Sequence, residues 1–223
     1  MLSGMALVLL AGVGQAQVVK FEFTATGSTA QTGGDLGAIP ALAQGTKISG
    51  VFYYDLSTPP DVSQSGTDFD SKTYNSLNTS LTFSANTGYS FAPGANAADS
   101  LLQPTIDIRN YHAAGEGHND ALYLYAYNID GGIEQQGQIT LIGKNGHNTF
   151  NSVALPSALS LGDFDGTLQL LWQHGDNFVR FEASIDTLQQ VAAVPEPETY
   201  AMLGAGLLLM GALASRRQRQ PSA

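Results

Sequence analysis

The chain contains no cysteine and few charged residues. The absence of cysteine excludes disulfide bonds, thiol catalysis, iron–sulfur clusters and cysteine zinc sites. Only 13% of the residues are charged, and 19 Asp and Glu outnumber 9 Lys and Arg, which gives a formal net charge of −10. Since an acidic protein repels the phosphates of nucleic acids, we expect no nucleic acid partner.

Common catalytic motifs are also absent. The sequence has no Gly-x-Ser-x-Gly elbow, no His-Glu-x-x-His pair and no Gly-rich phosphate loop. Glycoside hydrolysis needs two acids that face each other across a cleft. Four glutamates lie in or near predicted strands and loops, namely Glu22, Glu116, Glu134 and Glu182. The sequence places no two of them together, so we predict that the protein is not an enzyme.

The region from residue 17 to residue 190 is rich in short alternations of apolar and polar residues, separated by Gly, Asn and Asp turns. Such alternation is typical of β-strands, and no amphipathic helix interrupts it. We predict an all-β fold, an antiparallel β-sandwich of jelly-roll-like type. Long loops are expected over 27–46, with a short turn of helix near Ala41, and over 59–71. The predicted strands cover 18–24, 47–54, a hairpin over 80–91, 105–109, 121–128, 138–142, and a hairpin over 167–188.

Three tyrosines share one face of a predicted strand. Tyr123, Tyr125 and Tyr127 alternate with Leu122 and Leu124. Two interpretations stand: a platform on which sugar rings stack, or a half-buried strand whose hydroxyl groups reach water. Trp172, the single tryptophan, is expected in the core. A lipid-facing or ice-binding threonine face would need a regular Thr-x-Thr array, which the strands lack.

Three short segments gather possible metal ligands. The loop from Tyr111 to Asp120 combines two histidines with two carboxylates, a set that suits either a transition metal or a solvated loop: His112, Glu116, His118 and Asp120. Two turns place carboxylates at alternate positions, which suits either calcium or a structural turn: Asp68 with Asp70, and Asp163 with Asp165. We expect no cofactor, and calcium is the cation that these turns would suit.

The C-terminus contains three physically different pieces in a fixed order. Pro195, Glu196 and Pro197 favour an exposed, extended peptide, because proline fixes φ and lacks a donor. Residues 199–215 are uncharged and apolar, about the minimum length of a membrane-spanning helix. Arg216, Arg217 and Arg219 follow and would remain on the cytoplasmic side of the membrane. A buried C-terminal helix and a permanent tail anchor are the alternatives.

The N-terminus has the pattern of a secretory signal peptide. An apolar core ends in the small-x-small sequence Gly14-Gln15-Ala16, which predicts cleavage after Ala16. No Lys or Arg precedes the core, which departs from the usual pattern. The two ends of the chain therefore both predict export.

The tail, with Pro195, Glu196 and Pro197 in place, resembles the PEP-CTERM sorting signal of exported proteins of Gram-negative bacteria. The resemblance implies that an exosortase recognises these three residues and removes the apolar helix. It also implies an inner-membrane-anchored precursor, a final place at the cell surface or outside the cell, and a setting of extracellular polysaccharide and biofilm. The resulting organisation is a signal peptide (1–16), an exported β-domain (17–190), a linker (191–198), a transmembrane helix (199–215) and a basic cytoplasmic tail (216–223).

Together these features predict an exported surface or matrix protein with a structural or glycan-binding role. Its expected partners are an exosortase-type processing enzyme, the inner membrane and extracellular polysaccharide. The alternative is a secreted glycan hydrolase or lyase on the same β-sandwich. Two facing carboxylates in a deep, aromatic-lined cleft would favour the enzyme, and a flat or convex surface would favour the binding role.

Overall fold

The computed structural model describes residues 17–36, 42–75, 79–93, 103–115 and 117–191. Within these ranges the chain forms eleven β-strands and one 3-10 turn at Gly146–Asn148. The strands are β1 (Val18–Gly33), β2 (Lys47–Asp55), β3 (Val62–Ser65), β4 (Phe69–Asn75), β5 (Ser80–Ala85), β6 (Ser90–Phe91), β7 (Thr105–Tyr111), β8 (Ala121–Asp130), β9 (Ile133–Gly143), β10 (Phe164–His174) and β11 (Asn177–Val191). No helix of the described residues is long and apolar enough to cross a membrane, and the predicted span at 199–215 lies outside them.

The described strands form one sheet in the order β3-β4-β7-β8-β9-β10-β11-β1-β2-β5-β6. Every pair is antiparallel, so the all-β antiparallel prediction is confirmed. Strands β7 to β11 follow one another as a meander, whereas the neighbours β4 and β7, β11 and β1, and β2 and β5 are joined by longer crossovers. The jelly-roll type of the sandwich stays a prediction. The meander forms because short turns, such as the one at Gly131 and Gly132, join neighbouring strands directly.

The core lies on one face of this sheet. Inward-facing side chains of every described strand except β3 belong to a single hydrophobic cluster. The sheet therefore curls so that the inner faces of distant strands meet, as in a sandwich. Stacked aromatic rings fill part of the interior, with the rings of Phe21 and Phe52 centred 5.0 Å apart. Trp172 is only 3% exposed, which confirms its predicted place in the core.

Strand β1 is longer than predicted. The sequence predicts a loop from residue 27, yet β1 continues to Gly33 and pairs with β11 as far as Phe178. The polar composition of this segment gives no strand signal, because its side chains are exposed. Its backbone instead follows the 15-residue β11, which supplies hydrogen-bonding partners along its whole length. The predicted helical turn near Ala41 lies outside the described residues.

The predicted loop at 59–71 also contains strand structure. It holds β3 and the first residues of β4, which pair from Val62 with Thr73 to Ser65 with Asp70. All four residues of β3 are exposed, so no apolar alternation marks them. The strand forms because β4 is fixed by pairing with β7 and offers its other edge to β3.

Two tyrosine hydroxyls attach the segment after the 3-10 turn to the core. Tyr54, which has no exposed surface, donates to the carbonyl oxygen of Pro156 at 2.7 Å, and Tyr74 donates to that of Val153 at 2.7 Å. Burial raises the pKa of both hydroxyls, so both remain donors at neutral pH.

Candidate binding surface

The tyrosine stripe lies on the outer face of β8. Leu122, Leu124 and Ala126 point inward and are fully buried. Tyr123, Tyr125 and Tyr127 point outward and are half-buried. The predicted division of the strand into two faces is confirmed, and the rings remain accessible to a ligand.

Strand register places amide groups beside the rings. On β9, Gln138 lies opposite Tyr125 and Gln136 lies opposite Tyr127. On β10, Gln169 lies opposite Gln138. We call this surface the tyrosine face, defined by Tyr123, Tyr125, Tyr127, Gln136, Gln138 and Gln169. It combines aromatic rings with side chains that both donate and accept hydrogen bonds.

Neighbouring side chains hold two of these amides in place. The amide nitrogen of Gln169 donates to Glu182 Oε1 at 3.0 Å, and that of Gln138 donates to the hydroxyl of Thr140 at 2.8 Å. Each contact uses one amide N–H and leaves the carbonyl oxygen able to accept from a ligand.

The first ring of the stripe is fixed by a cation. The Arg109 guanidinium lies 5.0 Å from the centre of the Tyr123 ring, and its Nε is 3.1 Å from Asp107 Oδ2. The Tyr123 and Tyr125 rings stack at 6.4 Å with an angle of 13° between their planes. These contacts hold the rings of Tyr123 and Tyr125 nearly parallel to each other.

Two hydroxyls of the stripe, those of Tyr125 and Tyr127, have raised pKa values. Burial raises the pKa of Tyr125 to about 12, and the nearby carboxylate of Asp107 acts in the same direction. Burial also raises the pKa of Tyr127. At neutral pH these two side chains therefore present protonated hydroxyl donors rather than phenolate charges.

A small depression adjoins Tyr127. It has a volume of about 60 Å³ and is bordered by Glu134, Gln136, Leu171 and Gln173. The space is far smaller than the roughly 300–1,000 Å³ of pockets that enclose small ligands. A ligand at the tyrosine face would accordingly lie on the surface rather than inside the domain.

The structure places the candidate acids in different parts of the sheet. Glu134 lies beside the small depression, Glu182 is bonded to Gln169, and Glu22 lies on β1 opposite Gln189. Glu116 lies outside the described residues. Of these three described acids, only Glu134 borders the depression beside Tyr127.

The histidine-rich loop is organised around a buried carboxylate. Asp120 has no exposed surface, and its two oxygens accept the backbone N–H groups of Tyr111 at 2.7 Å, Thr149 at 2.9 Å and Phe150 at 2.7 Å. His118 stacks on Tyr111 with ring centres 5.0 Å apart. The sequence suggests Asp120 either as a possible metal ligand or as part of a solvated loop, and it does not reveal this role because two of the three backbone partners lie about 30 residues further along the chain.

Three further candidate ligands, His112, Asp70 and Asp165, take part in ion pairs. His112 Nε2 lies 3.0 Å from Asp70 Oδ2, and Asp165 Oδ1 lies 3.6 Å from Lys144 Nζ. The hydrogen bond to Asp70 raises the pKa of His112 and lowers that of Asp70. Within the described part of the chain, no group of three or more His, Asp or Glu side chains is placed to hold a metal ion.

The sorting residues lie outside the described ranges, where comparison with known families supplies the evidence. This applies to Pro195, Glu196 and Pro197, to the basic cluster of Arg216, Arg217 and Arg219, and to the predicted cleavage position at Ala16. A family model described as the PEP-CTERM protein-sorting motif matches residues 193–219. No curated protein and no solved structure matches the chain.

The match confirms the resemblance that the tail predicted. The chain carries a PEP-CTERM sorting motif, consistent with an exosortase substrate. The motif implies an exported protein whose precursor is anchored in the membrane before processing. It covers only the C-terminal end, so the role of the β-sheet must be argued from the tyrosine face.

Proposed function

We propose that the β-domain is the exported, mature part of an exosortase substrate, and that it binds neutral extracellular polysaccharide through the tyrosine face without catalysing a reaction. The signal peptide would be removed after Ala16. The helix at 199–215 would hold the precursor in the inner membrane, with Arg216, Arg217 and Arg219 in the cytoplasm. Cleavage near Pro195-Glu196-Pro197 would then deliver the domain to the cell surface or the biofilm matrix.

The observation that carries the binding proposal is the row of three outward tyrosines flanked by glutamines. The apolar faces of sugar rings pack on aromatic rings, and sugar hydroxyls exchange hydrogen bonds with amides. The acidic composition of the chain disfavours acidic polymers and leaves neutral sugars as the better fit. The open form of the surface suits a polymer chain, which needs no enclosing pocket.

The alternative of a secreted glycan hydrolase or lyase rests on Glu134. This carboxylate borders the small depression beside Tyr127. A hydrolase would need a second acid across the scissile bond, roughly 5–9.5 Å away. Glu134→Gln separates the two functions, since it would abolish turnover by an enzyme and leave binding to the tyrosine face largely intact.

A binding assay with matched variants tests the proposal. The full chain, purified in detergent, is passed over insoluble cellulose, chitin and xylan, and over alginate as an acidic polymer. Tyr125→Ala with Tyr127→Ala should weaken binding to a neutral polysaccharide at least tenfold. Tyr53→Ala, which removes a half-buried outer-face tyrosine of β2, is the control. Equal binding by the double variant and the control, or binding to alginate alone, would contradict the proposal.

The sorting half of the proposal has its own measurement. Intact mass of the protein from native cells should show loss of the residues after the Pro-Glu-Pro region, and only where the exosortase is present. Pro195→Ala with Pro197→Ala should block this loss. A C-terminus that ends at Ala223 with and without the enzyme would instead indicate a permanent membrane anchor.

A further inference from the structure

A broad groove lies on the outer face of the sheet, away from the tyrosine face. It consists of two adjoining depressions of about 570 Å³ and 400 Å³ that share Thr24, Ser49 and Ser84 as lining residues. Its floor is formed where β11, β1, β2, β5 and β6 lie side by side. We call it the β2 groove, after its central strand. The larger depression falls in the size range of ligand sites, roughly 300–1,000 Å³.

Hydroxyl groups follow one line across the β2 groove. Strand register aligns five hydroxyl residues on five neighbouring strands: Thr187, Thr24, Ser49, Ser84 and Ser90. All five are exposed. Neighbouring strands are about 4.8 Å apart, so the line extends for roughly 19 Å. The line is perpendicular to the strands and therefore has no counterpart in the local sequence.

A β-bulge in β11 determines the position of Thr187, at one end of the hydroxyl line. Thr24 pairs with Thr187 and Ala25 pairs with Ile185, so Asp186 is an extra residue on β11. As a result Asp186 and Thr187 are both exposed on the outer face, where simple alternation would separate them. The hydroxyls of Thr187 and Thr24 then lie 2.7 Å apart.

The bulge also builds a charged border to the groove. Thr26 donates to Asp186 Oδ2 at 2.5 Å, Lys47 Nζ donates to Thr26 at 2.5 Å, and Lys47 Nζ lies 3.8 Å from Asp186 Oδ2. Glu22 and Gln189 line the opposite side of the groove, two residues along their strands from Thr24 and Thr187. The groove therefore has a neutral hydroxyl line between two polar borders, each of which includes a carboxylate.

We propose that the β2 groove is a second polysaccharide site, which takes a segment of a neutral, extended glycan chain that lies along the hydroxyl line. An extended β-linked glycan advances by about one strand spacing for each sugar ring, so successive rings would meet successive hydroxyl residues. The carboxylate of Glu22 on one border and the acidic composition of the chain disfavour acidic chains. The ligand class rests on the proposed function, whereas the site itself depends on different residues.

Two sites would allow one domain to connect two glycan chains. The tyrosine face occupies β8, β9 and β10, and the β2 groove occupies β11, β1, β2, β5 and β6, so the two sites share no strand. A chain bound at one site would leave the other free. Linked weak sites gain avidity without new contacts, so modest affinity at each site would suffice to hold the domain in a matrix.

Stoichiometry of oligosaccharide binding tests the second site. Cellohexaose, chitohexaose and xylohexaose are titrated calorimetrically into the full chain in detergent. The unaltered chain should bind two equivalents of one of these probes. Ser49→Tyr fills the centre of the groove and should leave one equivalent, whereas Ser63→Tyr, at an exposed position of β3, should retain two. Ser84→Tyr is the second groove variant if Ser49→Tyr does not fold, as judged by Trp172 fluorescence.

The two proposals fail in distinguishable ways. If Tyr125→Ala with Tyr127→Ala abolishes all binding, while Ser49→Tyr and Ser84→Tyr bind as the unaltered chain does, the β2 groove is not a site. If the tyrosine variant binds normally and the groove variants lose binding, the groove stands and the tyrosine face is refuted. Absence of binding by the unaltered chain overturns both.

Discussion

Replacement of Asp120 should destabilise the domain more than any exposed acid. Its carboxylate is fully buried and accepts three backbone N–H groups. A hydrogen bond to a charged group contributes about 1.5–3 kcal/mol. Some of the released donors lie near the surface and would gain water, so we expect Asp120→Ala to lower the free energy of unfolding by roughly 4 kcal/mol. That is a large share of a typical total of about 5–15 kcal/mol.

Urea denaturation measures this loss directly. Trp172 is the single tryptophan and is buried, so its fluorescence reports unfolding of the core. With a slope of about 2 kcal/mol per molar urea, the midpoint should fall by roughly 2 M. Asp165→Ala is the control, because that carboxylate is 79% exposed and should change stability by less than about 0.5 kcal/mol. A loss below about 1 kcal/mol for Asp120→Ala would refute the reasoning.

For three further substitutions, the direction of the change in stability follows from the structure. His112→Ala should remove a pH dependence of stability. The pair of His112 and Asp70 stabilises the fold fully between the ordinary aspartate pKa of 3.8 and the ordinary histidine pKa of 6.5. This stabilisation is lost as the pH rises through the raised pKa of His112, or as it falls through the lowered pKa of Asp70. Tyr54→Phe leaves the Pro156 carbonyl without its donor and should cost about 1–2 kcal/mol. Gly50→Ala should cost about 1–3 kcal/mol or more, since the new Cβ would lie 2.6 Å from a backbone oxygen.

Each of these changes has a matched control in the same urea assay. For the histidine variant the control is the unaltered chain at each pH, and an unaltered pH profile in His112→Ala would refute the role of the pair. Tyr53→Phe removes a hydroxyl from the outer face and should have little effect. Gly66→Ala meets no atom closer than 3.3 Å, so equal stability of this variant and Gly50→Ala would show that the core adapts to the added group.

The sequence predicts best those strands that bury one face. In β8 and in most of β11, apolar residues alternate with polar ones because the inner face joins the core and the outer face meets water. Turns are predictable where chemistry requires glycine. Gly88 and Gly175 have φ of +90° and +61°, and both lie in predicted hairpin turns.

Strands that are exposed on both faces cannot be recognised from patterns in the sequence. Residues 28–32 of β1 and all of β3 are exposed, so nothing in their composition separates them from loops. Their structure comes from the partner strand, which is distant in sequence for β1. The bulge at Asp186 also cannot be recognised from the sequence, because an extra residue changes which face Thr187 occupies without altering the local pattern.

The two candidate surfaces differ in the same way, namely in how much of each can be predicted from the sequence. The tyrosine stripe is visible in the sequence because its members lie two residues apart on one strand. The glutamines beside it, and the whole hydroxyl line of the β2 groove, depend on register between strands. Register is decided by burial across the sheet and by bulges, so these partners can be found only once the strands are paired.

The sorting motif and the binding surfaces therefore encode function in different ways. A processing enzyme grips an extended peptide, so the signal must be contiguous, and the tail alone suffices to identify it. The proposed polysaccharide sites extend across several strands, so each combines residues that are far apart in the chain. It follows that relatives of this domain should be sought by the arrangement of their outer-face residues across the sheet rather than by similarity along the chain.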